Sequence, residues 1–137
     1  MPAFLRDREV HWGDCDAFGI VYYPHFMSWC DETFHKLAED RGFGQRGLPD
    51  RGIAGTPLRD IGATFHSPVS YGDTLTIAAT VSDLGRSSFR MNYRLTCKGR
   101  HVADTHEVRV FTAWTKGRLH GVEIPEDIRA ILQELAE

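Results

Sequence analysis

The stretch from Pro24 to Arg41 constrains this chain more than any other. Phe26, Cys30, Thr33, Phe34, Leu37 and Ala38 recur there at the period of an α-helix, with Met27 and Trp29 at the flanks of the stripe. A helix lying on a surface needs only one narrow apolar face. A stripe this wide predicts a helix wrapped by other structure on most sides. The opposite face carries Ser28, Glu32, His35, Lys36 and Glu39, and Glu32 and Lys36 stand at the favourable i,i+4 spacing. Pro24 suits the first helical position, where an N–H would have no partner.

What surrounds the helix reads as strand. Phe4 to Val10 predicts a short first strand ahead of it, and Gly42 to Gly52 a Gly/Pro-rich loop behind it. Gly55 to His66 is a strand that Ser67-Pro68 breaks, and Tyr71-Gly72-Asp73 is a turn. Leu75, Ile77, Ala79 and Val81 alternate with Thr74, Thr76, Ala78 and Thr80, the period of a half-buried strand. Gly85-Arg86-Ser87-Ser88 turns the chain, and Phe89, Met91, Tyr93, Leu95 and Cys97 alternate again. After a hairpin turn at Lys98-Gly99-Arg100, one long strand is expected from His101 to Trp114, with Val108, Val110 and Thr112 on one side. A short helix closes the chain, with Pro125 in its first turn and Ile128, Ile131, Leu132 and Leu135 on its apolar side. One long helix followed by hairpin-connected strands predicts an α+β fold, an antiparallel sheet covering a single helix. The 137 residues show neither repeat nor linker, so one domain over residues 1–137 is expected.

Composition narrows the function classes. Cys15, Cys30 and Cys97 are widely spaced and form no CxxC pair, which predicts reduced thiols without a disulfide framework or zinc knuckle. His25, His35, His66, His101 and His106 show no ligand grouping along the chain, so neither a metal nor a separate cofactor is expected. A net charge of -3 argues against a surface for nucleic acid. No apolar run approaches the roughly 20 residues of a membrane span. The first ten residues, MPAFLRDREV, lack the apolar centre of a secretion leader, and a cytoplasmic location is expected.

The densest polar cluster lies just before the long helix: Gly13-Asp14-Cys15-Asp16, then Gly19-Ile20-Val21-Tyr22-Tyr23-Pro24. A helix starting at Pro24 leaves unpaired N–H groups near Tyr23, whose partial positive charge favours an oxyanion. A carboxylate in the loop before it could sit beside that point, the pairing that acyl transfer requires. Spacing alone leaves open whether Asp14 or Asp16 takes that part, or whether both merely cap the loop. Cys15 is a poor nucleophile candidate, because only His11 stands nearby as a base.

Gly13 to Asp16 and Gly19 to Pro24, with Gly52-Ile53-Ala54-Gly55-Thr56-Pro57 and Phe65 to Asp73 followed by Leu75-Thr76-Ile77, resemble the hot-dog-fold thioesterases of the 4-hydroxybenzoyl-CoA type. Arg109-Val110-Phe111 and Val122 to Pro125 match more loosely. The resemblance covers nearly the whole chain. It implies a five-stranded antiparallel sheet around the Pro24 helix, and subunits paired edge to edge as homodimers, commonly dimers of dimers. It implies an acyl-CoA substrate, with CoA part of that substrate. Asp16 then matches the catalytic carboxylate, Tyr23 supplies the backbone N–H for the carbonyl oxygen, and Asp14 is structural. Asp31, about two turns or roughly 11 Å into the helix, matches the carboxylate that accepts the phenol of a 4-hydroxybenzoyl group. Arg86, Ser87 and Ser88 match the positions that hold the nucleotide of CoA. The family has further basic residues beside Arg86 where this chain has Ser87, and another basic position appears late as His120. The alternatives are a broader acyl-CoA or acyl-carrier-protein thioesterase and a non-catalytic acyl-binding module. A double-hot-dog dehydratase fits less, since its histidine-bearing helix signature is absent.

Overall fold

A computed structural model describes residues 3–137; Met1 and Pro2, the first residues of the segment considered as a leader, lie outside it. The expected helix is α1, Pro24–Asp40. Around it runs a sheet of β1 (Phe4–Glu9), β2 (Leu58–Phe65), β3 (Thr74–Ser82), β4 (Ser88–Cys97) and β5 (Arg100–Val110), in the order β1-β3-β4-β5-β2. Every pairing in the sheet is antiparallel. This is the hot-dog arrangement of one long helix wrapped by a five-stranded sheet.

The alternation that predicts β3 and β4 is also what builds the core. Leu75, Ile77, Ala79 and Val81 of β3 and Phe89, Met91, Tyr93, Leu95 and Cys97 of β4 are all buried. They face Phe26, Cys30, Phe34, Leu37 and Ala38 of α1, and Trp29, expected at the flank, is buried with them. Burying each such large side chain stabilises by about 1.5–3 kcal/mol, which explains why the helix can be apolar over so much of its girth. Lys98 and Gly99 both have positive φ, 51° and 77°, the hairpin turn whose twist matches that of the strands it joins.

The last expected strand differs in its extent. It is not continuous to Trp114: β5 ends at Val110, and β6 (Thr112–Thr115) pairs with β7 (Arg118–Gly121) as a separate hairpin. Thr112 leaves the main sheet because its N–H and C=O bond to Gly55 and Ala54. The hairpin turn, Lys116-Gly117 with φ of 52° and 74°, repeats the Lys-Gly dipeptide of the earlier one. Val108 and Val110 do share one side of β5, as expected. Thr105, Glu107 and Arg109 point into the core, and Val108 and Val110 point outward and are half-buried.

The C-terminal helix is α2, Glu126–Glu134, buried through Ile128 and Leu132. β2 lies at one edge of the sheet with its outer side unpaired among the described residues, and it exposes Leu58, Ile61 and Phe65. No helix of the described residues is long and apolar enough to cross a membrane.

Candidate active site

The loop before α1 separates the two carboxylates that spacing leaves equivalent. Asp14 is consumed by structure. Its Oδ2 accepts the His11 N–H at 2.8 Å and lies 3.5 Å from Arg8, and its carbonyl accepts the Tyr22 N–H at 2.9 Å. Asp16 closes a tight loop with its backbone, donating to the Ile20 carbonyl at 2.8 Å and accepting from the Gly19 N–H at 2.9 Å. Gly19 has φ 82°, a conformation that L side chains rarely adopt. The Asp16 side chain accepts the Phe18 N–H at Oδ1, 2.8 Å. That arrangement fixes one oxygen and leaves the other, Oδ2, without a partner among the described residues. Cys15 is held in a bridge to Val21, and its thiol reaches only the His11 carbonyl, at 3.9 Å.

The helix start completes the picture. Tyr22 donates to Asp14, His25 to the Tyr22 carbonyl and Phe26 to the Tyr23 carbonyl, and Pro24 has no N–H. The Tyr23 N–H is left without an acceptor among the described residues, at the positive end of a 17-residue helix. Asp16 and Tyr23 line one cavity of about 550 Å³. Its walls are mainly apolar, with Phe18, Ile20, Phe26, Phe65 and Val69, and His66 and Ser67 stand at its border. The Phe65 ring lies 5.6 Å from that of Phe26 and 6.4 Å from that of Tyr23. A carboxylate, an unpaired N–H and a flat apolar wall are the parts needed to hold an acyl group and stabilise charge on its oxygen.

Asp31 lies elsewhere. It borders a second cavity of about 510 Å³ with His35, Thr56, Leu58, Arg109 and Trp114. Its Oδ1 accepts Arg109 at 2.6 Å and lies 3.5 Å from His35, and the residue is about half exposed. Asp16 and Asp31 therefore border different cavities of the single chain.

Behind Asp31 stands a charged group that strand periodicity alone does not reveal. The Arg109 side chain is 3% exposed and that of Glu107 1%. Arg109 donates to both Glu107 oxygens at 3.0 and 3.1 Å and to the Thr56 carbonyl at 3.1 Å, and its guanidinium lies 4.3 Å from the Phe34 ring centre. The Tyr93 hydroxyl donates to Glu107 at 2.5 Å. Burial works against the charge on Arg109, but the hydrogen bonds and charge of Glu107 outweigh it and raise its pKa. Burial and the Glu107 charge push the Tyr93 phenol well above its ordinary value. Arg109 is thus a permanent cation that fixes one oxygen of Asp31 and leaves the other free among the described residues.

Arg86, Ser87 and Ser88 form the turn into β4 and border neither cavity. Their backbone is tied down: the Arg86 carbonyl accepts from Ile124 and Arg129, and the Ser87 carbonyl from Phe111. The Arg86 side chain is exposed. The histidines, ungrouped along the chain, are not all separate in space. His66 and His101 converge on Asp104, with Nε2 to carboxylate distances of 3.1 and 2.8 Å.

Comparison with known proteins agrees with this architecture. The family model of the thioesterase-like superfamily matches residues 10–132. The 4-hydroxybenzoyl-CoA thioesterase of Pseudomonas sp. strain CBS-3 is 34% identical over 137 residues, covering 91% of this chain and 94% of that protein. The 1,4-dihydroxy-2-naphthoyl-CoA hydrolase of Synechococcus elongatus is 31% identical over 111 residues, covering 80% of this chain and 82% of that one. The solved structure of the Pseudomonas enzyme superposes with a TM-score of 0.87 over 94% of this chain and 98% of its own, at 29% identity. A gentisyl-coenzyme A thioesterase superposes with a TM-score of 0.80 at 29% identity, over 94% of this chain and 98% of its own. With the sheet order, the wrapped helix and the matched span all in agreement, this chain belongs to the thioesterase-like superfamily and carries its hot-dog fold.

Proposed function

We propose that this chain hydrolyses the thioester of a hydroxylated aromatic acyl-CoA, with 4-hydroxybenzoyl-CoA the first candidate. The observation that carries the reading is the pairing of a free Asp16 oxygen with an unpaired Tyr23 N–H at one apolar cavity. Asp16 either attacks the thioester carbonyl or takes the proton of an attacking water. In both cases negative charge grows on the carbonyl oxygen, and the Tyr23 N–H and the α1 N-terminus receive it. One such donor contributes about 10²–10³ in kcat. CoA leaves as a thiolate, a good enough leaving group to need no Ser-His-Asp relay.

The acyl group is argued from Asp31. Its free oxygen, on a carboxylate fixed by Arg109, accepts a hydroxyl hydrogen bond, and a purely apolar acyl chain would desolvate it without compensation. Names of relatives point the same way: 4-hydroxybenzoyl, gentisyl and 1,4-dihydroxy-2-naphthoyl all carry ring hydroxyls. Arg86, exposed beside Ser87 and Ser88, is assigned to the CoA phosphates.

Asp16 and Asp31 act together only in a homodimer. Phe65, at one end of β2, borders the Asp16 cavity, and Leu58, at the other, borders the Asp31 cavity. Seven residue steps separate these ends by about 23 Å, too far for one aryl group to bridge. Two copies pairing antiparallel along their free β2 edges would set the Phe65 end of one against the Leu58 end of the other. Each slot would then join Asp16 of one copy to Asp31 of its partner.

The test is kcat/KM for 4-hydroxybenzoyl-CoA, 1,4-dihydroxy-2-naphthoyl-CoA, benzoyl-CoA and hexanoyl-CoA, with Asp31→Ala measured in parallel. A preference of about tenfold or more for hydroxylated substrates is expected, the value of one good hydrogen bond to a charged group. Loss of that preference in Asp31→Ala supports the reading, and equal values for all four substrates contradict it.

A further inference from the structure

We propose that His66, His101 and Asp104 form a binding site for a divalent transition-metal ion of the zinc class, tying the end of β2 to the start of β5. The three residues lie 35 and 3 positions apart in sequence and meet only because β2 and β5 pair. Their ligand atoms all lie within 4.8 Å of one another. Atoms each about 2.0–2.2 Å from a shared tetrahedral ion lie roughly 3.3–3.6 Å apart, so small side-chain rotations bring the three into range. Two imidazole nitrogens and one carboxylate suit zinc, cobalt, nickel or copper and are a poor set for calcium or magnesium, which take oxygen ligands.

The local chain is held in register around the cluster. The His66 and Ser67 N–H groups both donate to the Val102 carbonyl, at 2.8 and 3.2 Å. Ser67 Oγ donates to the His101 carbonyl at 2.7 Å, and Arg100 donates to Ser67 Oγ and the Pro68 carbonyl at the same distance. These bonds fix the backbones that carry both histidines. The imidazoles are stacked, 4.1 Å between centres at 24°, and each directs Nε2 at the Asp104 carboxylate. An ion entering between them replaces two hydrogen bonds by three coordination bonds; each ring passes its Nε2 proton to Nδ1 or releases it to solvent, and turns about χ2 so that the freed Nε2 lone pair faces the ion. In the single chain His66 and Asp104 are exposed and His101 is half-buried, so the rings have room to turn and the ion can enter from solvent. Three protein ligands leave a fourth position for water. His66 also borders the Asp16 cavity, next to Phe65, so an occupied site would stiffen that wall without any part in the acyl chemistry.

The test is made on the untagged full chain, stripped with chelator and titrated with zinc chloride by calorimetry and with cobalt(II) by visible absorption. The expected result is one saturable ion per chain, bound at least tenfold more weakly by Asp104→Ala and by His66→Ala. Zinc should raise the thermal midpoint of the parent protein and leave that of either variant in place, because only binding to the folded state stabilises it. Circular dichroism checks that the variants fold; if either does not, His101→Gln and Asp104→Asn carry the same comparison. Absence of saturable binding overturns the proposal. So does binding of unchanged affinity in the variants, which would place the ion on other histidines. Because the readout is metal binding, it is independent of whether the chain hydrolyses any thioester.

Discussion

Replacing Arg109 by methionine removes a guanidinium that is 3% exposed and leaves the Glu107 carboxylate, 1% exposed, with the Tyr93 hydroxyl as its remaining side-chain donor. Four hydrogen bonds vanish: two to Glu107, one to the Thr56 carbonyl and one to Asp31. The shape of the site is roughly kept, since methionine fills much of the arginine stem and still packs on Phe34. The loss is therefore mainly that of a stranded buried charge, about 3–5 kcal/mol. At about 2.1 cal/mol/K of unfolding entropy per residue, a chain of this length loses about 3.5 °C in Tm per kcal/mol. Arg109→Met should then lower Tm by about 10–17 °C. Adding Glu107→Gln removes the stranded charge while keeping an acceptor for Tyr93. The double variant should recover most of the loss, as paired removal of buried ions usually does. Urea unfolding of the parent, both single variants and the double variant, followed by circular dichroism, forms the complete cycle. A loss below 1 kcal/mol in Arg109→Met, or a double variant no more stable than the sum of the two singles, would refute this account of the cluster.

Two further outcomes follow from single residues. Burial pushes the Cys30 thiol up to about 12, against a hydrogen bond with Thr105, and Cys97 is buried as well. Ellman's reagent at pH 8 should therefore count one reactive thiol, Cys15, in the folded protein and three after denaturation. The Arg51 hydrogen bond holds the exposed Asp127 carboxyl below its ordinary value. A depressed carboxyl stabilises the fold above its unfolded pKa of about 4 and loses that contribution as pH falls through the lower folded value. The Tm gap between the parent and Arg51→Ala should be widest near neutral pH and shrink toward pH 2.5; a gap that grows on acidification would contradict the pairing.

The sheet and helix were legible in the sequence because their residues obey one period each. Leu75 to Val81 and Phe89 to Cys97 alternate without exception, and the stripe from Phe26 to Ala38 is too wide for a surface helix. The facing of β5 is not legible in its period. Its apolar Val108 and Val110 face outward, and Glu107 and Arg109 face inward because each satisfies the other there. A rule that sends apolar residues inward has no access to such a pair until Asp31 of α1 and Tyr93 of β4 are placed beside it. The β6–β7 hairpin was signalled by Lys116-Gly117, the same dipeptide that turns the chain at Lys98-Gly99.

The site was legible in parts. Spacing placed Asp14 and Asp16 together before a helix start, and only the hydrogen bonds show that Asp14 is used up by His11, Arg8 and Tyr22. The separation of Asp16 from Asp31 depends on the three-dimensional run of β2, and no periodicity carries it. The same holds for His66 and Asp104, paired across two strands far apart in sequence.

On the proposed reading, Asp16 performs the chemistry beside the Tyr23 N–H. Its most direct test is kcat/KM for 4-hydroxybenzoyl-CoA in Asp16→Asn against the parent, with substrate affinity and thermal midpoint measured on both. Asparagine keeps the size of the side chain and can still accept the Phe18 N–H, so folding and binding should persist. The predicted result is a fall of about 10²–10⁴ in kcat/KM, the usual contribution of a positioned base or nucleophile, carried by kcat. Hydrolysis within threefold of the parent by a folded Asp16→Asn protein would contradict it.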